Sequence, residues 1–371
     1  MAEGHTREDY MRRALRLAAK GAGWVNPNPQ VGCVIVKDGR VVGEGWHTAF
    51  GQLHAEREAL AACTESPAGA TAYVTLEPCC HQGKTPPCTE GLIEAGIARV
   101  VVGAPDPNPL VAGKGVAQLR AAGIEVEEGV LVQDCQALNR AWFHFIQTGR
   151  PYVMAKFAQT LDGRIGLRVG ESCWLTGEEA RTRTHADRAR FAAIAVGVNT
   201  VLVDDPLLTC RAPGRVKQPL RVVVDSCLRI PLDAQVVRTV DAAPLLVATT
   251  FYAPEEKRTA LQEAGATVVV LPDCEGQVDL EALLDHLGEQ GIDSLIVEGG
   301  PALHAAFFAK GLVNGVQAYV APRVFGAGAA DAPTPGSVGC LPLEDPQAAP
   351  RIAFERITQL GEDVLMEGQV K

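Results

Sequence analysis

His54-Ala55-Glu56, Pro78-Cys79-Cys80-His81 and Pro86-Pro87-Cys88 gather imidazole, thiol and carboxyl groups in one short stretch. Zinc in a catalytic role takes three protein ligands of imidazole and thiolate type and keeps its fourth position for water. The ion brings that water from a pKa of 15.7 to about 7, which makes a nucleophile at neutral pH. His54, Cys79 and Cys88 supply such a ligand set, and Glu56 is the nearby carboxylate that can move the protons. The same residues allow a closed structural site, with Cys80 or His81 as fourth ligand. The spacing of His54 and Glu56 carries a geometric demand. Residues two apart on a helix point to different sides, so both serve one site best where they open the helix. Phe50-Gly51-Gln52-Leu53 fits a loop ahead of it. Cys88 stands just ahead of an expected helix, whose terminal N–H groups favour a thiolate. The loop from Cys80 to Pro87 carries His81 and Lys84, where an anionic group can be held, although Lys84 alone reads more readily as a solvated lysine.

The elements that must position these groups follow from periodicity. Thr6 and Asp9 have capping-box-like spacing ahead of an amphipathic helix from Tyr10 to Ala19 that ends at Gly21. Asn26-Pro27-Asn28-Pro29 enforces a loop, because neither proline has an N–H to donate. Strands are expected at 31–36 and 41–46, joined by the hairpin link Lys37-Asp38-Gly39-Arg40. A helix at 54–62, a strand at 71–76, a helix at 89–95 and a strand at 100–104 complete an alternation that predicts a sheet covered on both faces.

Thr148-Gly149-Arg150-Pro151 is the expected boundary, dividing the chain into domains 1–148 and 149–371. Beyond it strands are expected near 152–158, 192–198, 220–225, 244–249, 267–271, 293–298 and 315–321. Helical patterns near 177–190, 254–264, 279–290 and 301–310 separate several of them. Three constellations stand at the expected strand ends. They are the segment from Lys156 to Arg164, the run from Val196 through Thr200 to Asp204-Asp205-Pro206, and Glu298-Gly299-Gly300-Pro301. The last opens a helix whose N-terminus favours phosphate, with Pro301 suited to the first position. No G-x-G-x-x-G fingerprint accompanies them, and each taken singly is also an ordinary turn or cap.

The 371 residues, with 47% hydrophobic and 21% charged, suffice for two folded cores. A net charge of −10 speaks against nucleic acid as partner, and no run reaches the ~20 apolar residues of a membrane span. The charged N-terminus lacks a signal-peptide pattern, and eleven scattered cysteines do not read as a disulfide framework, so the expected compartment is the cytoplasm.

The pairing of H-x-E with P-C and a later Cys is the pattern of zinc-dependent nucleobase deaminases. Taken with Asn26-Pro27-Asn28-Pro29-x-Val31-Gly32 and the whole run from Thr75 to Cys88, it resembles the bifunctional riboflavin-biosynthesis deaminase–reductase family. Asp106-Pro107-Asn108-Pro109 fits as well. That resemblance implies a cytidine-deaminase-like α/β/α domain followed by a dihydrofolate-reductase-like α/β domain, with Zn2+ and NADPH as cofactors. It implies His54, Cys79 and Cys88 as zinc ligands and Glu56 as proton shuttle. Asn26, His47, His81 and Lys84 are expected at the deaminase substrate. Ala158, Trp174, Thr200, Asp204, Ser226 and the stretch Gly300, Pro301, Ala302 and Leu303 correspond to dinucleotide contacts. Ser172, Arg188, Leu208, Arg211 and Glu298 correspond to contacts with a pyrimidine ribose-phosphate, and a guanidinium suits its phosphate. The implied reductase half pairs into a homodimer or higher homo-oligomer. The competing expectations are a zinc deaminase of another nucleotide or of tRNA with a non-reductase second domain, and an inactive zinc-stabilised scaffold.

Overall fold

The computed structural model describes residues 6–82, 85–171, 173–212, 214, 217–329 and 332–371. The chain divides into two compact units, Met1–Gly149 and Arg150–Lys371, each with its own sheet and core.

In the first unit Thr6 caps α1 (Arg7–Ala18): its hydroxyl accepts from the Asp9 N–H, and the Asp9 carboxylate accepts from the Thr6 N–H. The hairpin of β1 (Gly32–Lys37) and β2 (Arg40–Trp46) turns through Asp38 and Gly39, both left-handed, which matches the twist of paired strands. There follow α2 (Ala55–Ala61), β3 (Thr71–Leu76), α3 (Cys88–Glu94), β4 (Arg99–Ala104), α4 (Lys114–Ala121), β5 (Glu125–Glu128), α5 (Val132–Leu138) and α6 (Arg140–Thr148). The sheet order is β2-β1-β3-β4-β5, with β1 antiparallel to its neighbours and β3, β4 and β5 parallel. Alternate residues of β1 enter different cores. Cys33 and Ile35 pack with residues of α2, α3 and α4, whereas Val34 and Val36 pack with α1, α5 and α6. Such a doubly covered sheet is apolar on both faces.

The expected elements stop short of α4, β5, α5 and α6, although α6 is amphipathic. Gly113, ahead of α4, contributes no side-chain cap, so the usual start signal is missing, and β5 reads Glu-Val-Glu-Glu.

In the second unit the order is β6 (Tyr152–Thr160), α7 (Glu178–Arg188), β7 (Ala193–Gly197), α8 (Val198–Asp204), β8 (Leu220–Val224), α9 (Gln235–Arg238), β9 (Leu245–Thr249), α10 (Glu255–Glu263) and β10 (Thr267–Val270). A short ladder of β11 (Asp273–Cys274) and β12 (Gln277–Val278) precedes α11 (Leu280–Glu289), β13 (Ser294–Val297), α12 (Pro301–Ala309) and β14 (Gly315–Ala321). A second ladder, β15 (Gly328–Ala329) with β16 (Ala332–Pro333), leads to the hairpin β17 (Ile352–Leu360) and β18 (Asp363–Val370). The nine long strands lie in the order β10-β9-β8-β7-β13-β6-β14-β18-β17. They are parallel up to β14, and the last hairpin adds antiparallel strands. From β7 the chain builds outward through β8, β9 and β10, while β13, β6 and β14 lie on its other side. A crevice outside the strand ends is expected at such a reversal.

Two sequence expectations change here. The run after Val198 is helix α8 rather than a turn, with Asp204 its last residue and Asp205 a left-handed cap. The β17–β18 hairpin was not anticipated, because charged and apolar residues mix along β17 and leave no clean period.

The first unit sets a stringent packing test. A Cβ on Gly32 would stand 2.0 Å from the Ala14 carbonyl oxygen of α1. Gly32→Ala must push the helix off the sheet, at a cost of about 1–3 kcal/mol in stability, read as a lower unfolding midpoint in urea.

Candidate functional site

His54 is the extended N-cap of α2 (φ −76°, ψ 162°) and Glu56 is its second helical residue, so both reach past the start of the helix. Cys79 lies just beyond β3. Cys88 is the first residue of α3, with Pro87 as N-cap, one step further into the helix than its spacing suggested. The Cys79 and Cys88 Sγ atoms each lie 3.5 Å from His54 Nδ1, and the three donor atoms fall within 4.8 Å of one another. Tetrahedral bonds of about 2.3 Å to sulfur and about 2.0–2.1 Å to nitrogen put S and N about 3.5 Å apart. The donor set therefore fits zinc. Cys80 does not join it, since its Sγ faces the Leu110 carbonyl at 3.9 Å. Among the described residues the set has three members, as an open site requires.

The loop between the two thiols is pinched at its base. The Cys88 N–H reaches the Cys79 carbonyl at 3.0 Å and its Sγ at 3.4 Å, and the Thr89 N–H and hydroxyl reach the same carbonyl. The loop from Cys80 to Pro87 thus leaves both thiols within reach of the same His54 nitrogen. Hydrogen bonds from Cys88 and His54 hold the Cys79 thiol well below its ordinary range. Glu56 is 3% exposed, and burial, with the neighbouring Cys79 charge, pushes its carboxyl up to about 7.

His54, Cys79 and Glu56 line one cavity of ≈ 390 Å³. His47 and His81 line it too. His47 pairs Nδ1 with the Leu53 carbonyl (3.0 Å) and Nε2 with the Asn28 amide (3.2 Å), edge-on to the His54 ring. His81 Nδ1 is buried without a hydrogen-bond partner among the described residues. Asn26 does not line the cavity, whereas Asn28 does; in an N-P-N-P repeat, sequence does not distinguish the two. Lys84 lies outside the described residues. Asp106 and Asn108 also line the wall, and burial pushes Asp106 up to about 7.

Glu77, inside the run from Thr75 to Cys88, has a role that its local sequence does not signal. It is 3% exposed, and its carboxylate accepts N–H groups from Gly113 (3.0 Å), Val116 (3.1 Å) and, at 3.4 Å, Asp106. It supplies from 36 residues away the cap that α4 lacks locally. One carboxylate, two positions from Cys79, thereby ties the ligand segment to the loop carrying Asp106 and Asn108.

The second unit has a cavity of ≈ 460 Å³ beyond the carboxyl ends of β7, β8 and β13. Of the expected dinucleotide contacts, it brings together Thr200, Ser226, Gly300, Pro301, Ala302 and Leu303. Gly300 caps α12 without a side-chain hydrogen bond, and Pro301 begins the helix. Ala158 in β6 and Asp204 at the end of α8 do not line this cavity. Trp174 is 73% exposed in a separate cleft, with Arg181 over its ring at 5.2 Å.

Arg188 departs from the open phosphate grip that its type suggested. Its Nε and one terminal nitrogen pair with Glu298 at 2.8 and 2.9 Å, and the other donates to the Thr209 carbonyl. The fork is taken up because Glu298 arrives from β13, over a hundred residues away. Lys156, on β6, stands 3.4 Å from the same carboxylate. Burial alone would raise Glu298, but Arg188 and Lys156 hold it at about 2. Arg211 is exposed and stands 3.1 Å from His185 Nε2, and Leu208 is a buried left-handed residue. Ser172 lies outside the described residues.

A zinc-fitting His-Cys-Cys set with a buried Glu is the arrangement of a zinc deaminase. The second unit adds a parallel sheet with a crevice at its strand ends, where nucleotide cofactors bind in such sheets. Residues 5–104 match the cytidine and deoxycytidylate deaminase zinc-binding region, and residues 151–366 match the RibD C-terminal domain. The chain is 49% identical to the riboflavin biosynthesis protein RibD of Actinobacillus pleuropneumoniae, over 97% of this chain and 94% of that one. The solved RibD of Acinetobacter baumannii superposes with a TM-score of 0.88 at 37% identity, covering 98% of this chain and 99% of that one. A diaminohydroxyphosphoribosylaminopyrimidine deaminase/5-amino-6-(5-phosphoribosylamino)uracil reductase from Thermotoga maritima gives 0.85 at 36% identity, with the same coverage. The chain belongs to the RibD family, the bifunctional deaminase–reductases of riboflavin biosynthesis. Zinc and NADPH are its cofactors. The readings with a non-reductase second domain, or with an inactive scaffold, fall away.

Metal analysis should find about one zinc per chain, because one three-donor set is present. Cys79→Ser and Cys88→Ser should lose it, and His81→Ala should keep it. Glu77→Gln turns one acceptor into a donor facing an N–H and should cost about 1–3 kcal/mol of stability. Because it loosens the Asp106–Asn108 wall, it should raise KM for deamination more than it lowers kcat, at unchanged zinc content.

Proposed function

We propose that the first unit deaminates 2,5-diamino-6-(5-phosphoribosylamino)pyrimidin-4(3H)-one to 5-amino-6-(5-phosphoribosylamino)uracil. The second unit then reduces the ribosyl group to ribityl, giving 5-amino-6-(5-phosphoribitylamino)uracil. The observation that carries this reading is the buried Glu56 in the same cavity as His54 and Cys79, whose donor atoms gather with that of Cys88.

Zinc, held by those three residues, supplies the Lewis acidity that lets water react at neutral pH. Glu56 takes a proton from the attacking water and returns it to the departing 2-amino group, so that C2 gains oxygen and ammonia leaves. Its burial between metal ligands and substrate keeps that proton away from bulk solvent. His47 and His81 hold the pyrimidine or its ribose phosphate, with Asn26 and Lys84 assigned to the same substrate by resemblance.

NADPH, when bound, would supply the hydride chemistry, and the protein's part is to position it against the opened ribose. Thr200, Ser226 and Gly300 to Leu303 form the dinucleotide cradle, with the start of α12 facing phosphate. Ala158, Trp174 and Asp204 extend that assignment beyond the cavity. Glu298, kept ionised, orients the ribose hydroxyls together with Arg188, while Arg211, exposed beside His185, turns its guanidinium to the substrate phosphate. Ser172 and Leu208 complete the substrate side.

The acidic net charge and the absence of any described helix long and apolar enough to cross a membrane support a small-molecule enzyme of the cytoplasm. Exposed Phe354 and Ile357 on edge strand β17 support pairing of the second unit into a homodimer or larger assembly.

Glu56→Gln keeps size and polarity but cannot carry the proton, and general acid–base catalysis of this kind is worth ~10²–10⁴ in rate. The variant should nearly abolish ammonia release yet oxidise NADPH normally when given the deaminated pyrimidinedione. Loss of both activities in a folded variant would show that the chemistries share one site.

A further inference from the structure

The cavity in the second unit has one charged side chain on its wall among the described residues, Arg229, to which neither motif nor resemblance assigns a role. It lies in the loop that leaves β8. That loop is shaped by Asp225, whose carboxylate accepts the Ile230 N–H at 2.8 Å and whose carbonyl accepts the Leu228 N–H at 3.2 Å. Leu228 is left-handed, and the turn brings the Arg229 guanidinium to Asn199 Oδ1 at 2.8 Å, beside the start of α8. Arg229 is exposed at the cavity mouth, free to swing from an uncharged amide to a phosphate.

The other polar groups in this corner are already engaged. The Ser226 hydroxyl donates to Gln277 Oε1 at 3.2 Å and accepts the Val278 N–H at 3.1 Å. Where an acidic residue follows the second strand of a dinucleotide site, it binds the free ribose hydroxyls and selects NADH. Here the residue in that place is Asp225, 1% exposed and bonded inward to Ile230. It does not line the cavity, so this corner is cationic. In a chain of net charge −10, a dianionic group needs such a local cation. The planar guanidinium grips phosphate through two parallel N–H bonds, which a point charge does not.

We propose that Arg229 binds the 2′-phosphate of the dinucleotide and sets the preference for NADPH over NADH. This rests on the reading of the second unit as a reductase fed by a nicotinamide dinucleotide. The pyrophosphate goes to the start of α12, and the adenosine end goes to the β8 loop.

The test is calorimetric binding to the full-length, zinc-loaded protein, with NADPH, NADH, 2′,5′-ADP and 5′-AMP as probes. Arg229→Gln should weaken NADPH and 2′,5′-ADP by about 10- to 100-fold, the loss expected for a charged, bidentate contact. NADH and 5′-AMP should bind the variant as they bind wild type. Arg229→Lys, which keeps the charge without the fork, should fall between. Equal weakening of NADPH and NADH would overturn the proposal in favour of a pyrophosphate contact, and unchanged NADPH affinity would overturn it outright. Wild-type protein that binds none of the four probes would instead sink the reductase reading on which the proposal stands.

Discussion

Three donor atoms have to meet within the bonding sphere of one ion, and the first unit is arranged around that requirement. His54 comes from the start of α2, Cys88 from the start of α3 and Cys79 from the end of β3. Two helix starts and a strand end must share one edge of the sheet. The parallel pairing of β3 with β4, and the packing of α2 and α3 in one core on the same face, deliver that edge. The hydrogen bonds from Cys88 and Thr89 to the Cys79 carbonyl then set the separation that the metal will find.

Glu77 extends this frame outward. A buried carboxylate without a cation is costly unless N–H groups surround it, and here the start of α4 does so. The close contact is enforced from the helix side as well, since a Cβ on Gly115 would fall 2.1 Å from the Pro78 carbonyl oxygen. The cavity wall at Asp106 and Asn108 is therefore held by the same few residues that position Cys79. The donor set and this cavity wall are thereby tied together through Glu77.

The second unit solves a different problem with the same geometry. Parallel strands end together, and the reversal at β7 leaves room for a cofactor between α8 and α12. Beside that crevice, Glu298 is held by Arg188 and Lys156, a buried triad in which two cations keep one carboxylate ionised. Removing either cation leaves the remaining charges less well matched in a desolvated place.

Much of this was legible in residue types and spacing. The placement of Glu56 beside His54 and the Thr6 cap are local patterns, decided by residues a few positions apart and by the geometry of a helix start. His54, Cys79 and Cys88 were legible as a donor set from their residue types, although the two thiols lie 25 and 34 positions from His54. The long strands and their helices announced themselves because a doubly covered sheet demands continuous apolar runs. Tertiary structure decided whatever depends on a distant partner. The cap of α4 is invisible locally because Glu77 supplies it from another segment. Asn28 rather than Asn26 faces the cavity, since only the folded loop separates two identical dipeptides. Arg188 meets Glu298, and Arg229 reaches Asn199, because strand order, not sequence distance, sets which side chains become neighbours.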